Sequence, residues 1–386
     1  MRSISNNNLF IMGLTIALFA GALSQTPQYY ANNSMFTVTW ILPAVFALFS
    51  GKMTIAPISL IVLCFLVFQL FAFVLDFATS NMYQYRHDVN VEFSPISIFI
   101  LFIGVQCARL IKKETFCNVL FYSSIVCLPV LDYLVLNSSF NTFGLDGYLQ
   151  ISTYKNQIAP VLISHLCVIA LLGQSKNIYL RWIFYVTLLL TAYTVLGLRS
   201  RTSMVSMIIL LVFLFFSLQN KKERKCYYFL IVLSIVYIIY NWQLFYDMLF
   251  TMVFKQSDDL SGISSGRTGL WSEAIIHFFD NPLFGLGQAA GNVENFYLQN
   301  LLAFGLLGFP LAVSFVYIPL KTFKAIFLKT DTIHLLTLIV VIIFLVNGIF
   351  ERTPPVGPGI RCLYFWLLLG YCLSYSYRIK SNERKR

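Results

Sequence analysis

Long apolar blocks, nearly free of charge, follow one another along this chain from one end to the other and limit what it can fold into. A helix needs about 20 mostly apolar residues to cross the hydrocarbon core of a bilayer. Stretches close to that requirement run approximately over 9–24, 35–50, 53–76, 93–111, 117–136, 157–173, 179–198, 203–218, 226–248, 296–320, 332–349 and 360–378. Lipid offers no partner to backbone N–H and C=O groups, so such blocks fold as helices. The expected fold is all-α: residues 1–386 form a single integral membrane domain, a polytopic transmembrane helix bundle of about 12 spans. Pro43, Pro57, Pro129, Pro160 and Pro310 fall within these spans and are expected as kinks.

Only 11% of the residues are charged, against about 25% in a soluble domain. That excludes a cytosolic enzyme, a disordered chain and a secreted disulfide scaffold. The eight cysteines, at 64, 107, 117, 127, 167, 226, 362 and 372, lie in or beside the spans without a Cys-x-x-Cys pair. They read as small core hydrophobes, so neither a disulfide framework nor a zinc site is expected.

Twelve spans place both termini on one side, and that side receives 19 of the 27 Lys and Arg, including KKERK at 221–225 and the closing ERKR. By the positive-inside rule both termini are cytoplasmic. The net charge of +11 is then a matter of topology, and no nucleic-acid partner is expected. The first 25 residues have some features of a secretory signal cleaved after Ser24. A single Arg precedes the apolar run, however, and further spans follow, so the segment is expected to remain as a span. The largest segments between spans, 254–295, 137–156 and 77–92, all fall on the outer face. Any activity therefore resides in the membrane or at its outer surface.

The outer cations differ in kind. Six of the eight are Arg, the residue suited to gripping phosphate through two bonds. Arg199 and Arg201 stand in the short turn LGLRSRTSMVSM, ahead of a helix expected to begin at Thr202 or Ser203. Two guanidiniums, the hydroxyls of Ser200, Thr202 and Ser203, and a helix N-terminus would cradle an anion. The alternative is a pair of Arg reaching up to lipid headgroups.

A second cluster lies in the 254–295 loop. Leu270, Trp271, Ala274, Ile275, Phe278 and Phe279 recur at helical spacing with Glu273 and His277 opposite, which describes a short interfacial amphipathic helix preceded by Arg267. Asp280, Asn281 and Pro282 end it, and the flanking glycines imply a mobile or closely packed backbone. His277 reads as a surface polar residue or as a catalyst. Glu294, followed by Asn295, Tyr297 and Gln299, opens the tenth span. It is either an acid favoured by the helix dipole or a general base beside an anion site. Glu351, Arg352 and Arg361 bracket the rigid PPVGPG loop, which adds a cation or only an ion pair. The chain has no P-loop, GxSxG, HExxH or dinucleotide-binding glycine motif.

The block SGRTGLWSEAIIHFFDNPLFGLG and the ENFYLQNLLAFGLLG that follows it, within 265–308, resemble the O-antigen ligase and O-antigen polymerase family of bacterial inner-membrane glycosyltransferases. The Arg-Ser-Arg turn at 199–201 matches a further family position. The resemblance implies a metal-independent, inverting transfer of glycan from undecaprenyl pyrophosphate to a sugar hydroxyl at the periplasmic face, with no cofactor. It implies that Arg199, Arg201 and Arg267 hold the pyrophosphate. With the residue reading above, Arg267 and Glu294 are the expected catalytic residues, and His277, Asn295, Tyr297 and Arg352 are further candidates. Implied partners are the lipid-linked oligosaccharide, membrane lipid and a chain-length regulator. The ligases carry His immediately before the motif's Asn, and this chain carries Glu294. That difference favours an O-antigen polymerase over a ligase. A secondary transporter is the alternative from another class; it would need ionisable groups near mid-membrane, where only His165 and Asp132 lie deep.

Overall fold

The computed structural model describes residues 6–26, 28–29, 33–50, 53–79, 95–139, 148–173, 178–198, 200–217, 267–287, 293–326, 331–352, 355 and 362–383, with isolated positions between 225 and 246. The regular structure among these residues is helical, and they include no strand. In chain order the helices are α1 (Asn6–Leu23), α2 (Asn33–Val38), α3 (Ile41–Phe49), α4 (Ser59–Thr79), α5 (Pro95–Leu110), α6 (Lys113–Ser139), α7 (Tyr148–Leu172), α8 (Ile178–Gly197), α9 (Arg201–Ser217), α10 (Arg267–Phe278), α11 (Phe296–Ile326), α12 (Thr332–Phe350) and α13 (Leu363–Glu383).

Among the described residues four stretches, Ala56–Leu75, Lys113–Asn137, Phe296–Ser314 and Thr332–Phe350, are long and apolar enough to cross a membrane. Asn7–Leu23, Ile96–Leu110, Ile158–Leu172, Trp182–Val195 and Thr202–Phe215 are apolar but shorter. The block expected over 35–50 forms two short helices, α2 and α3, parted at Thr39 and Trp40. The span expected at 226–248 falls outside the described residues except at isolated positions. Pro43 and Pro57 sit in the first turn of α3 and in the 3-10 turn leading into α4, where a missing N–H costs nothing. Pro129 and Pro160 do lie inside helices.

Apolar side chains cover the outside of the molecule as well as its core. Leu60, Leu63, Val67, Leu70 and Val74 form an exposed stripe along α4, and Trp182, Val186, Leu189 and Tyr193 form another along α8. Water would penalise faces of this size, whereas acyl chains cover them at no cost. The protein is a membrane protein.

At the centre, α7 is buried at every position from Ile158 to Gly173, and α13 from Cys362 to Ser374. Helix α5 crosses α13 at Gly104 and Gly370. A methyl group on either glycine would run into the backbone of the other helix, at Leu367 or at Leu101. Helices α6, α9 and α12 pack on α7, and α11 packs on α4 and α12. Two polar pairings cross helices inside the bundle: His165 Nδ1 lies 3.0 Å from both Ser124 Oγ and Tyr364 Oη, and the Thr191 hydroxyl donates to Asp132 Oδ2 at 2.8 Å. Unbonded, such groups would be costly to bury.

Candidate functional site

The two ends of the bundle differ. At one, Lys113 at the start of α6 pairs with Asp331 at the start of α12. At the other lie the start of α9, the end of α12, the start of α11 and, packed on α11, α10.

Ser200 is the N-cap of α9. Its Oγ accepts the Ser203 N–H at 3.4 Å and the Ser203 hydroxyl at 2.8 Å. The cap thus stands two or three residues earlier than Thr202 or Ser203, and Arg201 becomes the first helical residue. The Thr202 hydroxyl is free to reach sideways and donates to Glu351 Oε1 at 3.2 Å, where α12 ends. One turn deeper, the Ser206 hydroxyl lies 2.7 Å from Asn347 Oδ1. Residues four apart share a helix face, so the two contacts are successive rungs between antiparallel helices. The next pair down, Leu210 and Ile343, is buried and apolar.

Asn295 is the N-cap of α11. Its Oδ1 accepts the Leu298 N–H at 3.0 Å, and Gln299 Oε1 reaches back to the Val293 N–H at 2.7 Å. The Asn295 side chain thus caps the first turn of α11, satisfying a donor that a helix start leaves open. Glu294 stands one residue ahead of the cap, half-buried, outside the first turn. Tyr297 donates its hydroxyl to the Leu345 carbonyl at 3.1 Å and so fastens the start of α11 to the end of α12. Arg352 is half-buried just beyond Glu351.

Helix α10 spans Arg267–Phe278, where the apolar spacing expects a helix. Its stripe divides. Trp271, Ala274 and Phe278 pack against Val293, Leu298 and Leu302, while Leu270, Ile275 and Phe279 are exposed together with Ile276. His277 is exposed, its Nδ1 3.2 Å from Asp280 Oδ2.

Beyond α10 the chain turns through Asn281–Gly287 and meets a break in α11. Gly305 has φ 63° and ψ −170°, outside the helical region. The break frees two donors, and the turn satisfies them: Leu306 N–H donates to Pro282 O at 2.9 Å and Leu307 N–H to Leu283 O at 3.1 Å. In return Leu286 N–H donates to Leu302 O at 2.7 Å. Asn281 closes the turn, accepting the Gly285 N–H and donating Nδ2 to the Gly285 carbonyl, each at 2.9 Å. Gly285, at φ 81°, and Gly305 lie so close that a methyl group on Gly285 would stand 2.5 Å from Gly305 N. Only glycine fits either place. The closely packed alternative expected of the flanking glycines therefore holds at Gly285.

Among the expected anion-binding residues, Arg201 and Arg267 open α9 and α10, and Arg199 lies outside the described residues, as does Arg361. The structure joins Thr202, Glu351, Tyr297 and the α10–α11 joint into one contiguous end; His277 stands apart on an exposed face. Sequence reasoning missed the Thr202–Glu351 and Ser206–Asn347 rungs. The available signal was Asn347, an amide inside an otherwise apolar span four residues before Glu351. Among the described residues no three His, Cys, Asp or Glu side chains gather into a cluster able to hold a metal ion.

Residues 186–313 match the family model described as O-antigen ligase. The matched stretch runs from within α8, through α9 and α10, to the part of α11 that contains Gly305, and the family resemblance read from the sequence is shown over it. No curated protein matches the chain.

Proposed function

Starting from this kinship with O-antigen ligases, we propose that the protein transfers a glycan from undecaprenyl pyrophosphate to a sugar hydroxyl at the periplasmic face of the bacterial inner membrane, as an O-antigen polymerase. The observation that carries the reading is the position of the family match: it spans the starts of α9 and α10, with Arg201 and Arg267, and the joint that leads to Glu294. In this reading Arg199, Arg201 and Arg267 bind the pyrophosphate. The acceptor oxygen attacks the anomeric carbon from the face opposite the leaving group, its proton passes to Glu294, and the glycosidic C–O bond breaks with its electron pair on the pyrophosphate. The arginines offset the charge growing there, so no metal is required. The acceptor is a second lipid-linked repeat unit, and a chain-length regulator is the expected protein partner. Both termini are cytoplasmic.

Ligation of the glycan to lipid A-core is the second reading, favoured by the family's description as O-antigen ligase. A deletion strain separates the two. Lipopolysaccharide bearing a single repeat unit identifies a polymerase; a bare core with polymerised glycan left on its lipid carrier identifies a ligase. Arg267→Ala is expected to abolish long-chain glycan while the protein stays in the membrane. Normal chain lengths in that variant would refute the pyrophosphate assignment.

A further inference from the structure

We infer that Glu351, acting through Thr202, is a positioning residue for the transfer site, a role that rests on the glycan-transfer reading above. Glu351 lies outside the matched stretch, on α12 rather than on any helix that carries a proposed pyrophosphate ligand. Three observations converge on it.

The first is the pattern of the α9–α12 contact. One turn deeper on each helix the corresponding positions, Leu210 and Ile343, are buried and apolar, whereas the last two rungs are Ser206–Asn347 and Thr202–Glu351. Thr202, Ser206 and Asn347 are all buried. Apolar pairs would join the helices without the cost of desolvating polar groups, so adhesion alone does not account for the rungs. What a hydrogen-bonded pair adds is one preferred register and one preferred rotation.

The second is the place of the acid. Glu351 caps the C-terminal end of α12, and its N–H donates to Asn347 O at 2.9 Å. A carboxylate there faces the negative end of its own helix dipole. The positive end of α9 stands opposite and compensates, so the position of Glu351 is explained by α9 and not by α12.

The third is what the rung holds. Thr202 is the second residue of α9, directly after Arg201 and two after the cap Ser200, whose Oγ already ties down Ser203. The first turn of α9 is thus fixed on two sides, by its own cap and by Glu351. The same turn carries Arg201 and follows Arg199. A displacement of about 1 Å in such a group costs roughly 100-fold in rate, so a device that fixes the turn acts on turnover.

The test uses full-length protein in proteoliposomes with lipid-pyrophosphate-linked glycan as donor, and compares kcat, donor KM and thermal unfolding. Thr202→Val, which keeps the shape and removes the hydroxyl, is expected to lower kcat about 10-fold or more with donor KM within a few-fold. Glu351→Ala is expected to do the same, and the double variant no worse than either, because both act through one bond. Thr202→Ser and Glu351→Gln keep a donor and an acceptor and are expected to restore kcat. Should Glu351→Ala fail to reach the membrane, Thr202→Val with its Ser rescue decides alone. Full turnover in Thr202→Val, losses that add in the double variant, or no rescue by Ser would overturn the role while wild-type transfer stands. A wild-type protein that transfers no glycan would overturn the function and this role together.

Discussion

Backbone meets backbone through glycine in two regions of this molecule, and the two contacts are built differently. Where α5 crosses α13, Gly104 and Gly370 let intact helices touch, and each helix keeps its own hydrogen bonds. Where the Asn281–Gly287 turn meets α11, the helix is broken at Gly305 and its freed N–H groups bond to the turn instead. The crossing is a packing contact deep in the bundle. The joint exchanges main-chain bonds, and it sets where α10 and the start of α11 stand, with Arg267 and Glu294. Loss of close approach should therefore cost stability at the crossing and site geometry at the joint.

Three substitutions break or sharpen this contrast. The largest effect is expected from Gly305→Ala, which adds strain of ~1–3 kcal/mol at a positive φ to overpacking of about the same size against the Leu283–Gly285 backbone. Transfer activity should fall to background even in the fraction that remains folded, as measured by long-chain glycan per folded molecule; retained activity would mean that the joint does not position the site. Gly370→Ala comes next, with about 1–3 kcal/mol of overpacking, read as a lower unfolding temperature. Activity per folded molecule should be unchanged, and a selective loss of activity would erase the distinction between the two contacts.

The smallest effect belongs to the end of the bundle opposite the joint, where Lys113 pairs with Asp331. Burial alone would raise the Asp331 carboxyl, but the hydrogen bond and charge of Lys113, the charge of His334 and the Ile333 N–H outweigh it and hold the group below its ordinary value. A carboxylate held low stabilises the fold above its unfolded value of about 3.9, and that contribution fades as pH falls through the lower folded value. Unfolding followed between pH 6 and pH 3 should show this acid-side loss in the wild type and less of it in Asp331→Asn. Equal slopes would show that the Lys113 pair contributes nothing.

How far the sequence revealed all this depends on which physical signal each feature leaves. The apolar blocks at 117–136, 332–349 and 360–378 became α6, α12 and α13 because uninterrupted hydrophobicity is enough to mark a buried helix. The spacing of Trp271, Ala274 and Phe278 likewise located α10. The partners were not legible. A helix that is apolar all round, such as α7, has no moment to say which face meets which neighbour. Thr202 and Glu351, or Gly285 and Gly305, carry no local mark of one another, and their pairing emerges only once the helices are placed. The sequence does not single out Ser200 as the cap because Thr202 and Ser203 satisfy the same preference.

The burial of α13 has a consequence for the order of assembly. It follows every other described helix in the chain, yet it occupies the middle of the bundle and seals against α5, from which most of the chain's length separates it. Chains emerge N-terminus first, so α5 waits with its glycine face uncovered until residues 363–383 have been synthesised. The bundle therefore closes from the outside inward, and a nascent chain stalled anywhere before residue 363 presents an open slot where its axis should be.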